Sequence, residues 1–181
     1  MNQRPRIDVT GVQGASEEEL PLAVVGEFPR LNGLYRHWTG KLNGRPMPAR
    51  RDLPPEEMRE FLGYIVLVDV TPPPRSFRFR LVGTEISSAY GRDMTGLYIE
   101  DIPTPAYREM LREHYGRAAD TAQPVLHRLT FMEWPGKVHE LVRLTLPLSD
   151  DGKTVNMLMV CSAFGDELKG HRRPLLGPDP P

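Results

Sequence analysis

The sequence predicts an α+β fold in which a five-stranded antiparallel sheet carries helices on one face and is preceded by an N-terminal amphipathic helix. The order of the elements indicates this fold, because two helical segments are followed by two strands, further helices and three more strands. The hydrophobic period separates the two kinds of element, since helical segments repeat apolar residues every three or four positions and strands alternate. At 181 residues, the chain is long enough for one domain with polar tails.

The first predicted helix covers residues 29–42, and Pro29 suits its first turn. Its apolar residues recur at helical spacing and form one stripe. Such a stripe either packs on its own domain or docks onto a second copy or a partner protein, and large aromatic anchors are typical of interfaces. A second, short helix is predicted over residues 54–62. The stripe, and hence the candidate interface, consists of Leu31, Leu34, Tyr35, Trp38 and Leu42.

Residues 64–70 and 76–82 are predicted to pair as a β-hairpin. The first segment is a β-branched run. The second alternates, so that Phe77, Phe79 and Leu81 share one face of the strand. The proline-rich segment between them has the composition of a turn.

Residues 83–104 connect this hairpin to the longest predicted helix. Gly83 ends the strand and a short helix follows it. Gly91 and Gly96 then bracket a tight connection, since glycine adopts positive φ without strain. Pro105 fits the first position of the long helix.

Three strands complete the predicted sheet, at about residues 125–131, 138–146 and 155–161. The stretch SDDGK between the last two predicts a tight reversal, because Asp-Gly supplies the positive φ that such a turn needs. The chain is accordingly divided into a flexible N-terminal tail, a helical extension, the core of the fold and a flexible C-terminal tail. These four segments are residues 1–18, 19–63, 64–164 and 165–181.

The charge balance argues against a nucleic-acid or membrane partner. The chain has 23 basic and 24 acidic residues, and its net charge of −1 gives no attraction toward polyanions or anionic lipid. No apolar run approaches the roughly 20 residues of a membrane-spanning helix. The single cysteine, Cys161, allows no disulfide within the chain, so a cytoplasmic location is expected.

Three stretches resemble, in order, those of one known family. They are RPMPARRDLPPEEM, FRFRLVGTEISSAYGRDMTG and LTLPLSDDG within residues 45–152, and with the flanking helix and last strand the match covers about residues 30–163. The chain resembles the short, stand-alone PAS-domain proteins of bacteria, mainly alphaproteobacteria, formerly described as a domain of unknown function. The resemblance implies a PAS fold without an attached kinase, cyclase or DNA-binding domain. It implies a small molecule between sheet and helices, or a protein partner, and it carries over no catalytic residue.

The identity of a cofactor stays open, but the residues argue against two PAS cofactors. Photochemical PAS proteins of the flavin type need a cysteine in the loop after the short helix, and residues 91–94 read Gly-Arg-Asp-Met. Haem commonly needs an axial histidine. His114 lies on the long helix, where haem-binding PAS domains place theirs, but its polar neighbours predict a solvated or partner-facing side chain. No pair of histidines has metal-ligand spacing, so no metal site is expected.

No residue set amounts to a catalytic signature. The glycines of residues 83–96 form neither a dinucleotide-binding nor a phosphate-loop motif, and a nucleophile elbow is absent from the sequence. Asp150 and Asp151 are adjacent turn residues rather than an acid–base pair. The predicted interior holds no acid or histidine, so a small enzyme on a curved-sheet scaffold is the remote alternative.

We therefore expect a PAS sensor or regulatory domain without catalysis of its own. It would bind a small apolar or amphipathic ligand, a signalling protein, or both. The alternative is a ligand-free interaction module that docks a kinase, another PAS domain or a second copy of the chain. The expected pocket is rich in methionine, which adapts to varied ligand shapes. Its candidate residues are Phe79, Leu81, Ile86, Tyr90, Leu97, Met110, Phe131, Leu144, Met157 and Met159.

Overall fold

The computed structural model describes residues 12–133 and 137–168 of the chain. Six strands form one antiparallel sheet in the spatial order β1–β4–β5–β6–β2–β3. The strands are β1 (Val12–Leu20), β2 (Ile65–Val70), β3 (Phe77–Val82), β4 (Val125–Glu133), β5 (Lys137–Leu148) and β6 (Met157–Phe164). The three α-helices are α1 (Pro29–Gly40), α2 (Thr84–Tyr90) and α3 (Pro105–Thr121).

The sixth strand, β1, corrects the prediction of five strands. It lies at an edge of the sheet, paired antiparallel with β4. It occupies residues 12–20, most of which fall in the segment predicted to be a flexible tail. Its sequence, VQGASEEEL, is poor in β-formers, so local propensity does not indicate a strand. Such a sequence suits an edge strand, because charged side chains at an exposed sheet edge discourage it from pairing with other chains.

The other five strands confirm the prediction from the sequence. β2 and β3 form the predicted hairpin, and β6 lies between β5 and β2. The turn between β5 and β6 contains Gly152 at φ 74°, as the Asp-Gly pair predicts. Across the middle of the sheet, Arg143 is directly opposite His127 on one side and Ser162 on the other. These three side chains therefore lie on the same face.

Helices cover both faces of the sheet rather than one. The helices α2 and α3 pack on the face that carries Arg143, where Tyr115 makes an edge-to-face contact with Phe77. The helix α1 packs on β5 and β6 and buries Leu31, Leu34 and Trp38. The helix α1 lies on the face that carries Cys161 and its cross-strand neighbour Leu144. The charge of Arg30 on α1 lowers the pKa of the Cys161 thiol, which places the helix next to this face.

Short 3-10 turns replace the second predicted helix. Within residues 54–62 the chain forms a turn at Pro55–Glu57, and another follows at Leu62–Tyr64. The second turn touches the start of α2 so closely that a Cβ on Gly83 would collide with the Gly63 carbonyl. At the C-terminal end, a 3-10 turn at Gly165–Leu168 buries Leu168 within the segment predicted to be a tail.

Among the described residues, no helix has both the length and the apolar character needed to cross a membrane.

Candidate functional site

A small cavity with a mixed polar and apolar lining lies between the sheet and the helices α2 and α3. It has a volume of about 20 Å³, which is room for a group about the size of one water molecule. Apolar side chains, among them Phe79 and Ile86, form part of its wall. The polar side chains of the wall are Tyr90, Tyr107, Tyr115, Arg143 and Ser162. We call it the helix-side cavity.

Arg143 is the only charged residue in this lining, and it is 3% exposed. Its Nη2 donates hydrogen bonds to the hydroxyl oxygens of Tyr107, at 2.9 Å, and Tyr90, at 3.2 Å. The two hydroxyls are also hydrogen-bonded to each other, at 2.7 Å. Within the described residues, Nη1 of Arg143 has no hydrogen-bond partner, and no carboxylate forms an ion pair with the guanidinium.

The tyrosines beside Arg143 do not neutralise its charge. Burial is the main cause that raises the pKa of the Tyr90 phenol well above its usual value, and burial raises the pKa of Tyr115 in the same way. Both phenols therefore keep their protons near neutral pH. An arginine side chain remains protonated in proteins. The helix-side cavity thus contains one full positive charge with only neutral hydrogen-bond partners among the described residues.

Two histidines lie behind Arg143, and both are buried. The rings of His114 and His127 stack with 3.6 Å between their centroids and 8° between their planes. Burial, followed by the charge of Arg143, lowers the pKa of His127 to about 4. Burial, His127 and Arg143 lower the pKa of His114 even further. Both rings are therefore neutral at physiological pH, which permits two imidazoles to stack.

His114 also connects α3 to the edge strand. Its Nε2 lies 2.7 Å from a carboxylate oxygen of Glu17 on β1, and a neutral ring with its proton on Nε2 donates to that oxygen. Arg117 on α3 makes a second link, donating to Glu19 at 2.8 Å. The expectation of a solvated His114 is therefore wrong, because β1, which the sequence did not predict, covers this side of the helix. Neither histidine is part of the cavity lining.

Orphaned polar atoms are concentrated on this face of the sheet. Among the described residues, four buried side-chain atoms that lack a hydrogen-bond partner belong to Arg143, Thr145, His114 and His127, which cluster on the helix-side face. Buried polar groups are nearly always hydrogen-bonded, so each exception calls for a physical explanation.

A second, apolar cleft lies on the opposite face of the sheet. Its volume is about 330 Å³, and its wall includes Met58, Leu62, Leu67, Leu81 and Met159. Leu62 and Leu81 are 36% and 42% exposed, so the cleft is open to solvent. Thr84 at the start of α2 also borders it. We call it the apolar cleft.

The predicted pocket residues are divided between these two places. Phe79, Ile86 and Tyr90 line the helix-side cavity, whereas Leu81 and Met159 line the apolar cleft. Leu144 and Met157 line neither site, although they are buried on the same face of the sheet as Met159.

Two of the remaining candidates also line neither site. Leu97 is half-buried in the loop after α2, and Met110 is buried on α3. The Phe131 side chain lies outside the described residues.

The candidate interface stripe of α1 packs on its own sheet. Leu31 and Leu34 are fully buried, and the indole nitrogen of Trp38 donates to the backbone carbonyl of Pro147 at 3.1 Å. Tyr35 and Leu42 are half-buried at its margin. The surface of the three buried members is therefore covered within the chain, as in the alternative in which the stripe packs on its own domain.

The described part of the chain offers few groups that could bind a metal ion or react as a thiol. Residues 12–133 and 137–168 contain no cluster of three or more side chains that suits a metal ion. Cys161 is buried on the face opposite the helix-side cavity, and burial raises the pKa of its thiol to about 12. It is therefore an unreactive core residue.

Arg143, the most informative residue of the site, is not among the residues predicted from the sequence. The predicted register of β5 placed Leu144 on the pocket face and the neighbouring Arg143 on the other face. A signal was present, because the stretch LVRLTLPL is apolar at almost every position, as in a strand buried on both faces. An arginine in the middle of such a strand must itself be buried.

Comparison with known proteins gave one family match. A family model described as a PAS domain matches residues 27–161. No curated protein matches the chain.

Two solved structures are similar in part. An RNA-binding light-oxygen-voltage receptor is 14% identical with a TM-score of 0.47, over 64% of this chain and 33% of its own. The present chain therefore spans about a third of that receptor's length. A fungal LOV domain photoreceptor is 19% identical with a TM-score of 0.37, over 56% of this chain and 74% of its own.

Proposed function

The chain belongs to the PAS domain family, and we propose that it is a sensory or regulatory domain that binds a small ligand in the helix-side cavity. The observation that carries the proposal is the buried guanidinium of Arg143, which lines this cavity without a charged partner among the described residues. A buried cation that lacks a counter-ion is costly to the fold. A group of this kind is expected where binding, rather than stability alone, has selected the residue.

The helix α2 provides a route from a bound ligand to the surface. Ile86 and Tyr90 on this helix line the helix-side cavity, while Thr84 at its start borders the apolar cleft. A ligand that favours one position of α2 would therefore change the shape of the cleft. This is a population shift, and it requires that the ligand bind the two positions with different affinity.

A second candidate function is the ligand-free interaction module. The exposed leucines of the apolar cleft, Leu62 and Leu81, favour it, because an open apolar surface of this kind suits a protein partner. In that case the small helix-side cavity would hold only water. The two functions therefore differ in which site responds to small molecules.

Methionine methyl groups distinguish the two sites. Met94 lines the helix-side cavity, whereas Met58 and Met159 line the apolar cleft. We would label the protein with ¹³C at its methionine methyl groups and record its NMR spectrum with a library of neutral and charged small molecules. The proposal predicts compounds that shift the Met94 signal while Met58 and Met159 stay in place.

Two results would contradict the proposal. Compounds that shift Met58 and Met159 alone would place binding in the apolar cleft. A library without any effect on Met94 would favour the ligand-free interaction module. Leu81→Ser serves as the control variant, since it alters the cleft and leaves the helix-side cavity intact.

A further inference from the structure

The charge balance around Arg143 limits the chemistry of the ligand. Among the described residues, the carboxylate linked to this region belongs to Glu17, which is hydrogen-bonded to His114. The phenol of Tyr90 keeps its proton, and the two histidines behind the guanidinium are neutral. Among the described residues, hydrogen-bonding groups surround this positive charge and no carboxylate pairs with it, so a neutral ligand would leave the charge uncompensated.

The hydrogen-bonding geometry suits a carboxylate. A guanidinium N–H forms a short, charge-assisted hydrogen bond with a carboxylate oxygen, and such a bond is about twice as strong as one between neutral groups. Nη2 of Arg143 is engaged by Tyr90 and Tyr107, and Nη1 is the nitrogen that lacks a partner. The hydroxyls of Tyr90 and Ser162 line the same cavity and can donate to an oxyanion.

The size of the cavity limits the ligand further. A volume of about 20 Å³ accommodates a single small group. Tyr90 and Met94 are the half-buried members of the lining, so a larger ligand would have to displace them. One carboxylate oxygen therefore fits without rearrangement, and the rest of even a compact anion enters only by displacing Tyr90 or Met94.

From these observations we infer that the helix-side cavity binds a small organic monoanion, whose carboxylate pairs with Nη1 of Arg143. The inference rests on the proposed function, because it names the class of ligand for the same cavity. The sequence predicted an apolar or amphipathic ligand instead. That prediction followed from placing Leu144 rather than Arg143 on the face of β5 that lines the pocket.

Acetate and acetamide provide the test, since they have nearly the same shape and differ in charge. Each is titrated into methionine-labelled protein, with ionic strength held by sodium HEPES, whose anion is too large for the cavity. We expect acetate to shift the Met94 methyl signal saturably and acetamide to leave it unchanged. The known ceiling on affinity per atom puts the Kd of acetate at about 40 µM or weaker, so titration extends to the millimolar range.

Variants assign the effect to Arg143. Arg143→Met keeps the length of the side chain and removes its charge, so the acetate shift should disappear. Arg80→Met removes an arginine that is exposed on β3 and paired with Asp69, and the acetate shift should persist. Tyr90→Phe removes one hydroxyl from the lining and should weaken acetate binding roughly fivefold.

Several outcomes would overturn the inference. If acetamide shifts Met94 as acetate does, or if the acetate shift survives in Arg143→Met, the cavity binds ligands without using the charge. If neutral library compounds shift Met94 and acetate does not, the anion inference fails while the proposed function stands. If no compound shifts Met94, both fail. The comparison of acetate with acetamide on the unmodified protein holds even if Arg143→Met does not fold.

Discussion

Arg30 and Arg143 lie on opposite faces of the same sheet. Of these two arginines, only Arg30 has a carboxylate partner within the described residues. Arg30 on α1 is bonded to Glu167 and stacks over the Tyr64 ring, with 3.3 Å from its guanidinium carbon to the ring centroid. Arg143 is buried more deeply and contacts only neutral groups. The α1 face thus pairs Arg30 with a carboxylate, whereas the described residues of the other face provide no counter-ion for Arg143.

The difference indicates a division of labour between the two faces. The α1 face is closed by apolar packing and by an ion pair, which is what stability requires. The helix-side face contains orphaned polar atoms and an uncompensated cation, which reduce stability and prepare a binding site. Proteins commonly sacrifice stability at functional sites in this way.

The largest expected effect comes from the α1 face. Trp38→Ala should lower the free energy of unfolding by about 3–5 kcal/mol, since it leaves a cavity and removes the bond to the Pro147 carbonyl. Tyr35→Ala, at the half-buried margin of the same stripe, should cost clearly less. Urea unfolding measures both.

The acetate response separates stability from binding in this variant. If the α1 face is structural, folded Trp38→Ala protein should still show the Met94 shift. A loss below about 1 kcal/mol would mean that the indole is not packed on the sheet, and that α1 is available to a partner after all.

The helix-side face should be sensitive to acid. The pKa of His127 is lowered to about 4, and that of His114 is lowered further, whereas an unfolded histidine titrates near 6.5. Between these values the unfolded chain binds more protons than the folded one, so the free energy of unfolding falls as the pH drops from about 6.5 to 4. Each histidine contributes at most about 1.4 kcal/mol per pH unit.

Glu17 acts in the opposite sense. Burial and the neighbouring Glu113 raise the pKa of the Glu17 carboxyl. As the pH falls, this carboxyl therefore takes up its proton at a higher pH in the folded chain than in the unfolded chain. Its protonation offsets part of the decrease in the free energy of unfolding. Urea unfolding between pH 7.5 and 4.5 measures the net slope. His127→Gln should flatten it. An unchanged slope in His127→Gln would contradict the assignment.

Local pattern was sufficient to predict most of the fold. The stripe of α1, the hairpin of β2 and β3, and the Asp-Gly turn at Gly152 each have a signature within a few residues, and the structure confirms them. β1 has no such signature, since its residues become a strand only through pairing with β4. Tertiary context therefore decided the sixth strand.

The candidate site was harder to predict because it depends on register. A shift of one residue along β5 exchanges Arg143 for Leu144, and the usual rule that apolar residues face inward favours Leu144. That rule fails here because helices cover both faces of the sheet. The burial of His114 was missed for a related reason, since β1 is what covers it.

The most direct test of the central claim is the free energy of unfolding of Arg143→Met beside that of Arg30→Met. It is measured by urea unfolding in low-salt HEPES without chloride or small carboxylates. Arg30→Met leaves Glu167 without its partner and should lose about 1–2 kcal/mol. Arg143→Met removes an uncompensated buried charge, so it should be at least as stable as the unmodified protein and up to about 4 kcal/mol more stable.

Added acetate should stabilise the unmodified protein and leave Arg143→Met unchanged. A loss of several kcal/mol in Arg143→Met without acetate would contradict the account, because it would show that the chain itself satisfies this charge and needs Arg143 for its fold.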